Sequence, residues 1–151
     1  MDKGISMKTY FAISLLLSCC IAHAQGESQL ASPYSKEYAA CVKKSGPPGF
    51  YDQAAASNCD AAEVKFQKKR INSAYNKILK MWENDPAAIA KLNNAQRAWV
   101  QWREGTYDLL QDAGGTNGQV VYIVSSSFLL KSLADQASLL EGILSANGGG
   151  E

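Results

Sequence analysis

The stretch that decides the fold is Leu92–Arg103, which reads LNNAQRAWVQWR and holds two of the three tryptophans of the chain. Its apolar residues recur at the spacing of an α-helix, with Leu92, Trp99 and Trp102 on one face. Two tryptophans within one helical turn can supply much of the core of a small domain. The stretch therefore predicts a core helix, with the stems of its arginines packed over the rings. The alternative is a binding site that uses the same arginine and glutamine side chains.

The first residues resemble an export signal rather than part of the fold. Lys8 precedes an apolar run, Tyr10–Ile21, that is too short for a stable transmembrane helix, and Ala22-His23-Ala24 places small residues at a cleavage site. We predict a signal peptide over residues 1–24 that is removed on export. The alternative is a lipoprotein in which Cys19 carries the lipid.

Removal of that segment changes the composition of the chain. Two of the 15 basic residues and one of the 14 acidic residues lie in it, which leaves 13 of each sign and a net charge near zero. Such a balance gives no basic surplus for a nucleic-acid partner. The single histidine, His23, is lost with Cys19 and Cys20, so the mature chain keeps Cys41 and Cys59. In an exported protein we expect these two cysteines to form a disulfide.

The region around Cys41 is predicted to be a loose N-terminal segment tied down by that bond. Residues 25–40 are polar and small, and we expect them to be flexible. Tyr38–Lys44 is long enough for one or two helical turns, and the glycines and prolines of Ser45–Gly49 are a break.

Two long helices are predicted next. The first begins near Asp60, because Asp60 and Glu63 have the spacing of a capping box and both place negative charge at a helix start. Asp85 caps the second helix, which has Pro86 at its first position and runs to about Gln111. Because the connection is short, we expect the two helices to be antiparallel neighbours.

A glycine-rich segment, Gly114-Gly115-Thr116-Asn117-Gly118, follows the second helix. It lacks the lysine of a phosphate-binding loop and does not follow a strand, so it is interpreted as an interhelical connection. Val120–Val124 would suggest a strand by its β-branched residues, but apolar residues continue at helical spacing as far as Ile143. We therefore predict a third helix over Gly118–Ser145.

Together these segments predict an all-α domain over residues 41–146. Its fold is a three-helix antiparallel bundle-like arrangement with an N-terminal disulfide-tied loop, and residues 147–151 are predicted to be a disordered tail.

Catalysis is not expected from this chain. The mature sequence has no histidine to act as a general base or as the partner of a nucleophile, and two cysteines alone cannot hold zinc, so no cofactor is predicted. Paired carboxylates could hydrolyse a glycoside. The candidates lie on charged helix faces or at helix starts, where nothing indicates the apolar pocket that a general acid needs. They are Glu63, Glu83, Glu104 and Asp108.

Several short motifs occur in the order and spacing of a known family, and they cover Cys41–Leu139. They are Cys41, Cys59 with Glu63, Arg70–Tyr75 with its Asn72 and Tyr75, Ala95-Gln96 with Trp99, Trp102-Arg103, and Gly114-Gly115-Thr116. In this combination the chain resembles the LprI-type lysozyme inhibitor family of exported bacterial proteins.

The resemblance implies a helical, disulfide-tied exported domain, some of whose relatives bind and block lysozyme. The resemblance implies that the motif residues have a structural or a binding role. We predict the contacts of two of them. Asn72 is expected to hold a backbone group between helices, and Arg103 to pair with Glu63 or cap a helix end. Alternatively, Gly114–Gln119 inserts into the lysozyme cleft, and nearby arginines meet the two catalytic carboxyl groups. The motif residues are Glu63, Asn72, Tyr75, Gln96, Trp99, Trp102 and Arg103.

The function predicted is that of a non-catalytic lysozyme inhibitor in the periplasm of a Gram-negative bacterium, with a protein as its partner. The alternatives are an immunity or envelope-stress protein with another cell-wall enzyme as its partner, and an enzyme that acts on cell-wall glycan. No spare apolar stripe is clear enough to predict a homodimer.

Overall fold

The computed structural model describes residues 32–46, 52–113 and 118–148. These ranges contain four α-helices and no strand, which confirms the all-α prediction. The predicted signal peptide, the alternative lipidation site at Cys19 and the predicted connection Gly114–Asn117 lie outside them. The helices are α1 (Lys36–Lys44), α2 (Gln53–Met81), α3 (Pro86–Ala113) and α4 (Gly118–Ala146).

The prediction of three helices is corrected to four by helix α1. The side chain of Ser35 accepts a hydrogen bond from the backbone N–H of Tyr38 and caps the helix, which then runs for nine residues. Gly46, with a φ of 129°, lies just beyond the helix end. Part of the segment predicted to be loose is therefore helical.

Helix α2 begins earlier than the prediction at Asp60. Its N-cap is Asp52, whose carboxylate accepts hydrogen bonds from the backbone N–H groups of Ala54 and Ala55. Asp60 and Glu63 therefore lie inside the helix and do not cap it. Their spacing led to the wrong prediction of a cap, because two carboxylates three residues apart occur both in capping boxes and along helix faces.

The boundaries of α3 and α4 agree closely with the predictions. Asp85 accepts a hydrogen bond from the backbone N–H of Ala88, and α3 starts at Pro86, which confirms the predicted cap. Val120–Val124 is helical, so the choice of a helix over a strand is confirmed. Beyond α4, Gly148 has a φ of 76°, a conformation that favours glycine.

Helix α4 is the centre of the fold. It packs against both α2 and α3, whereas α2 and α3 make much weaker contact with each other than their short connection predicted. The two helices are therefore neighbours, as predicted, but each packs mainly on α4 rather than on the other. Small residues explain the difference, since Ala74 on α2 and Ala134 and Ala137 on α4 are all buried and allow close approach of the backbones.

Side-chain contacts give the directions of the helices. Asp60 meets Tyr122 and Arg70 meets Glu141, so α2 and α4 run parallel. Trp102 meets Phe128, and Gln111 donates to Ser125, so α3 and α4 run antiparallel. The three long helices thus alternate in direction along the chain, as in an up-down-up bundle.

The core lies where α2 and α4 face each other, with one buried contribution from α3. Trp99 packs on this core but Trp102 does not, since 55% of Trp102 is exposed. The prediction that both tryptophans form the core is therefore wrong for Trp102. The buried core cluster is Ile71, Ala74, Ile78, Leu92, Leu133, Ala137, Leu140 and Leu144.

Helix α1 is fastened to α2 by the disulfide between Cys41 and Cys59, which confirms the predicted pairing. The Cα atoms of the two cysteines are 5.8 Å apart. Within the described residues, no helix is both long enough and apolar enough to cross a membrane.

Candidate functional site

A groove of about 320 Å³ lies between α2 and α3, and Leu133 of α4 contributes to its wall. Five of the seven motif residues singled out in the sequence line it. Residues at i, i+3 and i+7 share one helix face, and two such faces meet across the groove. The five residues are Asn72 and Tyr75 of α2, and Gln96, Trp99 and Arg103 of α3.

Arg103 is the most constrained charged group of this groove. Its guanidinium lies 4.7 Å from the centre of the Trp99 ring, a cation–π contact. One nitrogen, Nη2, donates to Glu104 at 3.0 Å. Only 13% of the Arg103 side chain is exposed, against 64% for Glu104. The predicted pairing of Arg103 with Glu63 is wrong, because Glu63 lies in a different part of the domain.

Tyr75 supplies the direct link between α2 and α3. Its hydroxyl donates a hydrogen bond to the side-chain oxygen of Asn93. Asn72, which was predicted to hold a backbone group between helices, is instead exposed in the groove wall. Motif reasoning missed this link, whose signal in the sequence was the Asn93-Asn94 pair directly after Leu92 of the predicted core face.

The charge of the groove is positive. Its lining contains two cations, Lys68 and Arg103, and no aspartate or glutamate among the described residues. The rest of the lining consists of carboxamide, aromatic and aliphatic side chains. Chemically, such a site can accept an anion with an apolar body.

Glu63 belongs to a separate network that holds the N-terminal segment. Its carboxylate accepts hydrogen bonds from the backbone N–H and hydroxyl of Ser35 and from the side-chain amide of Gln67, and it is 1% exposed. Gln67 and Arg70 both donate to the carbonyl oxygen of Pro33, at 2.9 and 3.0 Å. The polar series at positions 63, 67 and 70 was the sequence signal for this network, which motif reasoning missed.

A second link joins α1, α2 and α4 through Asp60. One oxygen of its carboxylate accepts from the Tyr38 hydroxyl at 3.0 Å and the other from the Tyr122 hydroxyl at 3.1 Å. Burial raises the pKa of Tyr38 well above its usual value, and the charge and hydrogen bond of Asp60 raise it further. Tyr34 has a pKa raised mainly by burial.

Exposed apolar side chains occur where α3 ends and α4 begins. Leu109, near the end of α3, is 63% exposed. Trp102 lies further back along α3 and meets Phe128 edge-on, with ring centres 5.4 Å apart. Gly118 is the first residue of α4, and the rest of the predicted binding loop lies outside the described residues. On α4 the exposed apolar residues of this end are Val120, Ile123 and Val124.

The described residues contain no group of three or more histidine, cysteine, aspartate or glutamate side chains placed to hold a metal ion. Of the carboxylates considered as catalytic candidates, Glu83, Glu104 and Asp108 are exposed, while Glu63 is held by the hydrogen bonds described above. No two of these groups are gathered in one of the described cavities.

Fold and site together define a small, disulfide-tied helical domain whose prominent surfaces are an interhelical groove and an apolar helix end. The model of the family described as lysozyme inhibitor LprI matches residues 48–140. The chain belongs to that family, which confirms the resemblance. No curated protein and no solved structure matches the chain.

Proposed function

We propose that this protein is an exported, non-catalytic inhibitor that binds lysozyme. The observation that carries the proposal is the family match over residues 48–140, a range that includes α2, α3 and most of α4. It therefore includes the groove and the apolar end of the α3–α4 pair, the two surfaces on which a partner could act.

The disulfide supports export of the chain. Disulfides persist in oxidising compartments such as the bacterial periplasm and are rare in the cytosol. The Cys41–Cys59 bond joins two helices of the domain, so it is part of the fold rather than an appendage. Together with the signal-like residues 1–24, it favours the periplasm of a Gram-negative bacterium over the cytosol.

The chemistry of the mature chain favours binding over catalysis. With His23 removed there is no histidine, and the carboxylates weighed for glycoside hydrolysis are either exposed or engaged in holding the N-terminal segment. An inhibitor needs complementary surface rather than a proton-transfer group.

The apolar end of the α3–α4 pair is the face that we assign to lysozyme. Leu109 lies about 6 Å along the helix axis from Ala113, whereas Arg103 lies about 15 Å from it. The segment Gly114–Gly118 would therefore enter the cleft with apolar side chains around its base. Exposed apolar side chains grouped at one end of a small domain are typical of a protein-binding surface. In this arrangement Arg103 acts in the groove and not in the cleft.

The proposal is tested by lysis of cell-wall suspensions with a c-type lysozyme, into which the purified protein is titrated without reductant. We expect inhibition that saturates near equal molar amounts. No inhibition by a large excess of folded, disulfide-bonded protein would contradict the proposal and leave an immunity or envelope-stress role with another cell-wall enzyme as the alternative.

The binding face is tested with one pair of matched substitutions. Leu109→Glu places a charge at the apolar end, and we expect it to weaken inhibition at least about tenfold. Leu139→Glu is the control, because Leu139 is also exposed, at 57% against 63% for Leu109, but lies in the second half of α4. Equal inhibition by both variants would contradict the assigned face without contradicting inhibition itself.

A further inference from the structure

We propose that the groove between α2 and α3 binds a small carboxylate-bearing amino sugar, with Arg103 and Lys68 meeting the carboxylate and Trp99 lying against the ring. This inference concerns a surface different from the one assigned to lysozyme. It does not depend on whether the protein inhibits that enzyme.

Charge is the first argument. The lining holds Arg103 and Lys68 without any acidic residue, so an anion that enters meets two cations and no repulsion from the lining. Arg103 is paired with Glu104, but Glu104 does not line the groove, whereas the cavity on the opposite side of α2 is lined by both Arg70 and its partner Glu141. An anion in that second cavity would have to displace or sit beside a carboxylate.

Arg103 has donors to spare for a ligand. A guanidinium carries five N–H donors, and among the described residues its hydrogen bonding is confined to the contact of Nη2 with Glu104. Among the described side chains that are not exposed, every nitrogen or oxygen atom that is shut off from solvent has a hydrogen-bond partner. The nitrogens of Arg103 that have no such partner therefore reach solvent. A guanidinium that is mostly covered, yet has donors open to a groove, favours a planar anion such as a carboxylate.

The neighbouring side chains suit a sugar ring better than a fully apolar acid. Asn72 and Gln96 each offer a carboxamide with both donors and an acceptor, which match hydroxyl and acetamido groups. Tyr75, and the part of Trp99 that Arg103 does not cover, offer aromatic surface for the C–H face of a ring. A volume of about 320 Å³ lies at the lower end of small-molecule sites, so the groove holds one ring rather than a long chain.

The groove is also pre-organised. Arg103 is stacked on Trp99, Tyr75 is held by Asn93, and the wall formed by Leu133 is fully buried. Because these groups are already ordered, the side-chain entropy cost of binding falls mainly on the exposed Lys68 and Asn72.

The test uses two sugars that differ in the lactyl carboxylate, N-acetylmuramic acid and N-acetylglucosamine. Each is titrated into the purified exported protein while the indole N–H resonance of Trp99 is followed by NMR. We expect a saturable shift with N-acetylmuramic acid, with a dissociation constant of about 1 mM or tighter, and at least about tenfold weaker binding of N-acetylglucosamine. Lysozyme is absent from this experiment, so its outcome is separate from that of the inhibition assay.

Three substitutions locate the site. Arg103→Gln and Lys68→Gln are each expected to weaken binding of N-acetylmuramic acid at least about fivefold. Arg97→Gln is the matched control, because Arg97 is exposed on the same helix, contacts Asn94 and does not line the groove. Lys68 is exposed, so its replacement keeps the test decisive even if loss of Arg103 disturbs the fold.

Three outcomes would overturn the proposal. The first is the absence of a saturable shift of Trp99 with N-acetylmuramic acid, and the second is equal binding of the two sugars. The third is unchanged binding by Lys68→Gln, or a loss in Arg97→Gln as large as its own, either of which would place the carboxylate elsewhere.

Discussion

At the scale of single residues, Glu63 holds the N-terminal segment against α2 through hydrogen bonds to Ser35 and Gln67. Glu63→Gln keeps the shape but removes the negative charge from these hydrogen bonds and replaces one accepting oxygen with an amide nitrogen that only donates. We expect the free energy of unfolding to fall by about 1–3 kcal/mol, measured by urea unfolding without reductant. Glu37→Gln, an exposed change in the first turn of α1, is the control. A similar small loss in both variants would contradict the role given to Glu63.

Titration of Tyr38 makes the stability of the domain depend on pH in the alkaline range. Burial and Asp60 raise the pKa of Tyr38 in the folded state. The contribution of Tyr38 to the free energy of unfolding is therefore complete below the pKa that tyrosine has in the unfolded chain, about 10. Above that pH the unfolded chain loses the phenolic proton more readily than the folded chain, so stability falls as the pH rises. We expect the unfolding free energy of the native protein to drop between pH 9 and about pH 11 by more than that of Tyr38→Phe.

The comparison with Tyr38→Phe isolates this effect from the titration of lysines, which both proteins share. At neutral pH the variant should be less stable by about 0.5–1.5 kcal/mol, the usual net value of a hydrogen bond. Parallel pH profiles for the two proteins would show that Tyr38 does not carry the dependence.

At the scale of secondary-structure elements, the disulfide determines how firmly α1 is attached. The two cysteines are separated by 18 positions, and a loop of that size contributes roughly 3 kcal/mol in the chain-entropy model. We expect the double substitution Cys41→Ala and Cys59→Ala to lower stability by about that amount and to increase hydrogen exchange in α1 first. Two free thiols in the unfolded, unreduced native protein would contradict the bond itself.

The close approach of α2 and α4 depends on small residues. Ala137 is fully buried in the core cluster, so Ala137→Leu inserts volume where the helices meet. We expect a loss of about 1–3 kcal/mol in thermal or urea unfolding. Ala90→Leu makes the same change at an exposed position of α3 and should be close to neutral. Equal stability of the two variants would mean that α2 and α4 have room to separate.

At the scale of the whole molecule, the predicted signal peptide would determine which chain exists in the cell. We expect the protein in a periplasmic extract to have the intact mass of residues 25–151, with the disulfide formed. A lipid-modified chain beginning at Cys19, found in the membrane fraction, would favour the lipoprotein alternative. An unprocessed chain in the cytosol would contradict export.

Local patterns in the sequence determined the bounds of two helices, one helix cap and the disulfide. Helical spacing predicted α3 and α4 nearly to their ends, Asp85 was identified as a cap, and two remaining cysteines predicted their own pairing. Helix ends and caps depend on residues a few positions apart in the chain, and the disulfide follows from the number of cysteines. The sequence therefore contains enough information to predict these features.

The tertiary structure alone decided which helix lies in the middle and what the motif residues touch. Periodicity identifies the apolar face of a helix but not the neighbour that covers it, so α4 rather than α3 became the partner of α2. For the same reason Glu63 met Ser35 instead of Arg103, and Trp102 remained exposed while Trp99 reached the core. Buried alanines allow α2 and α4 to approach closely, and the groove lies between α2 and α3, which make little direct contact.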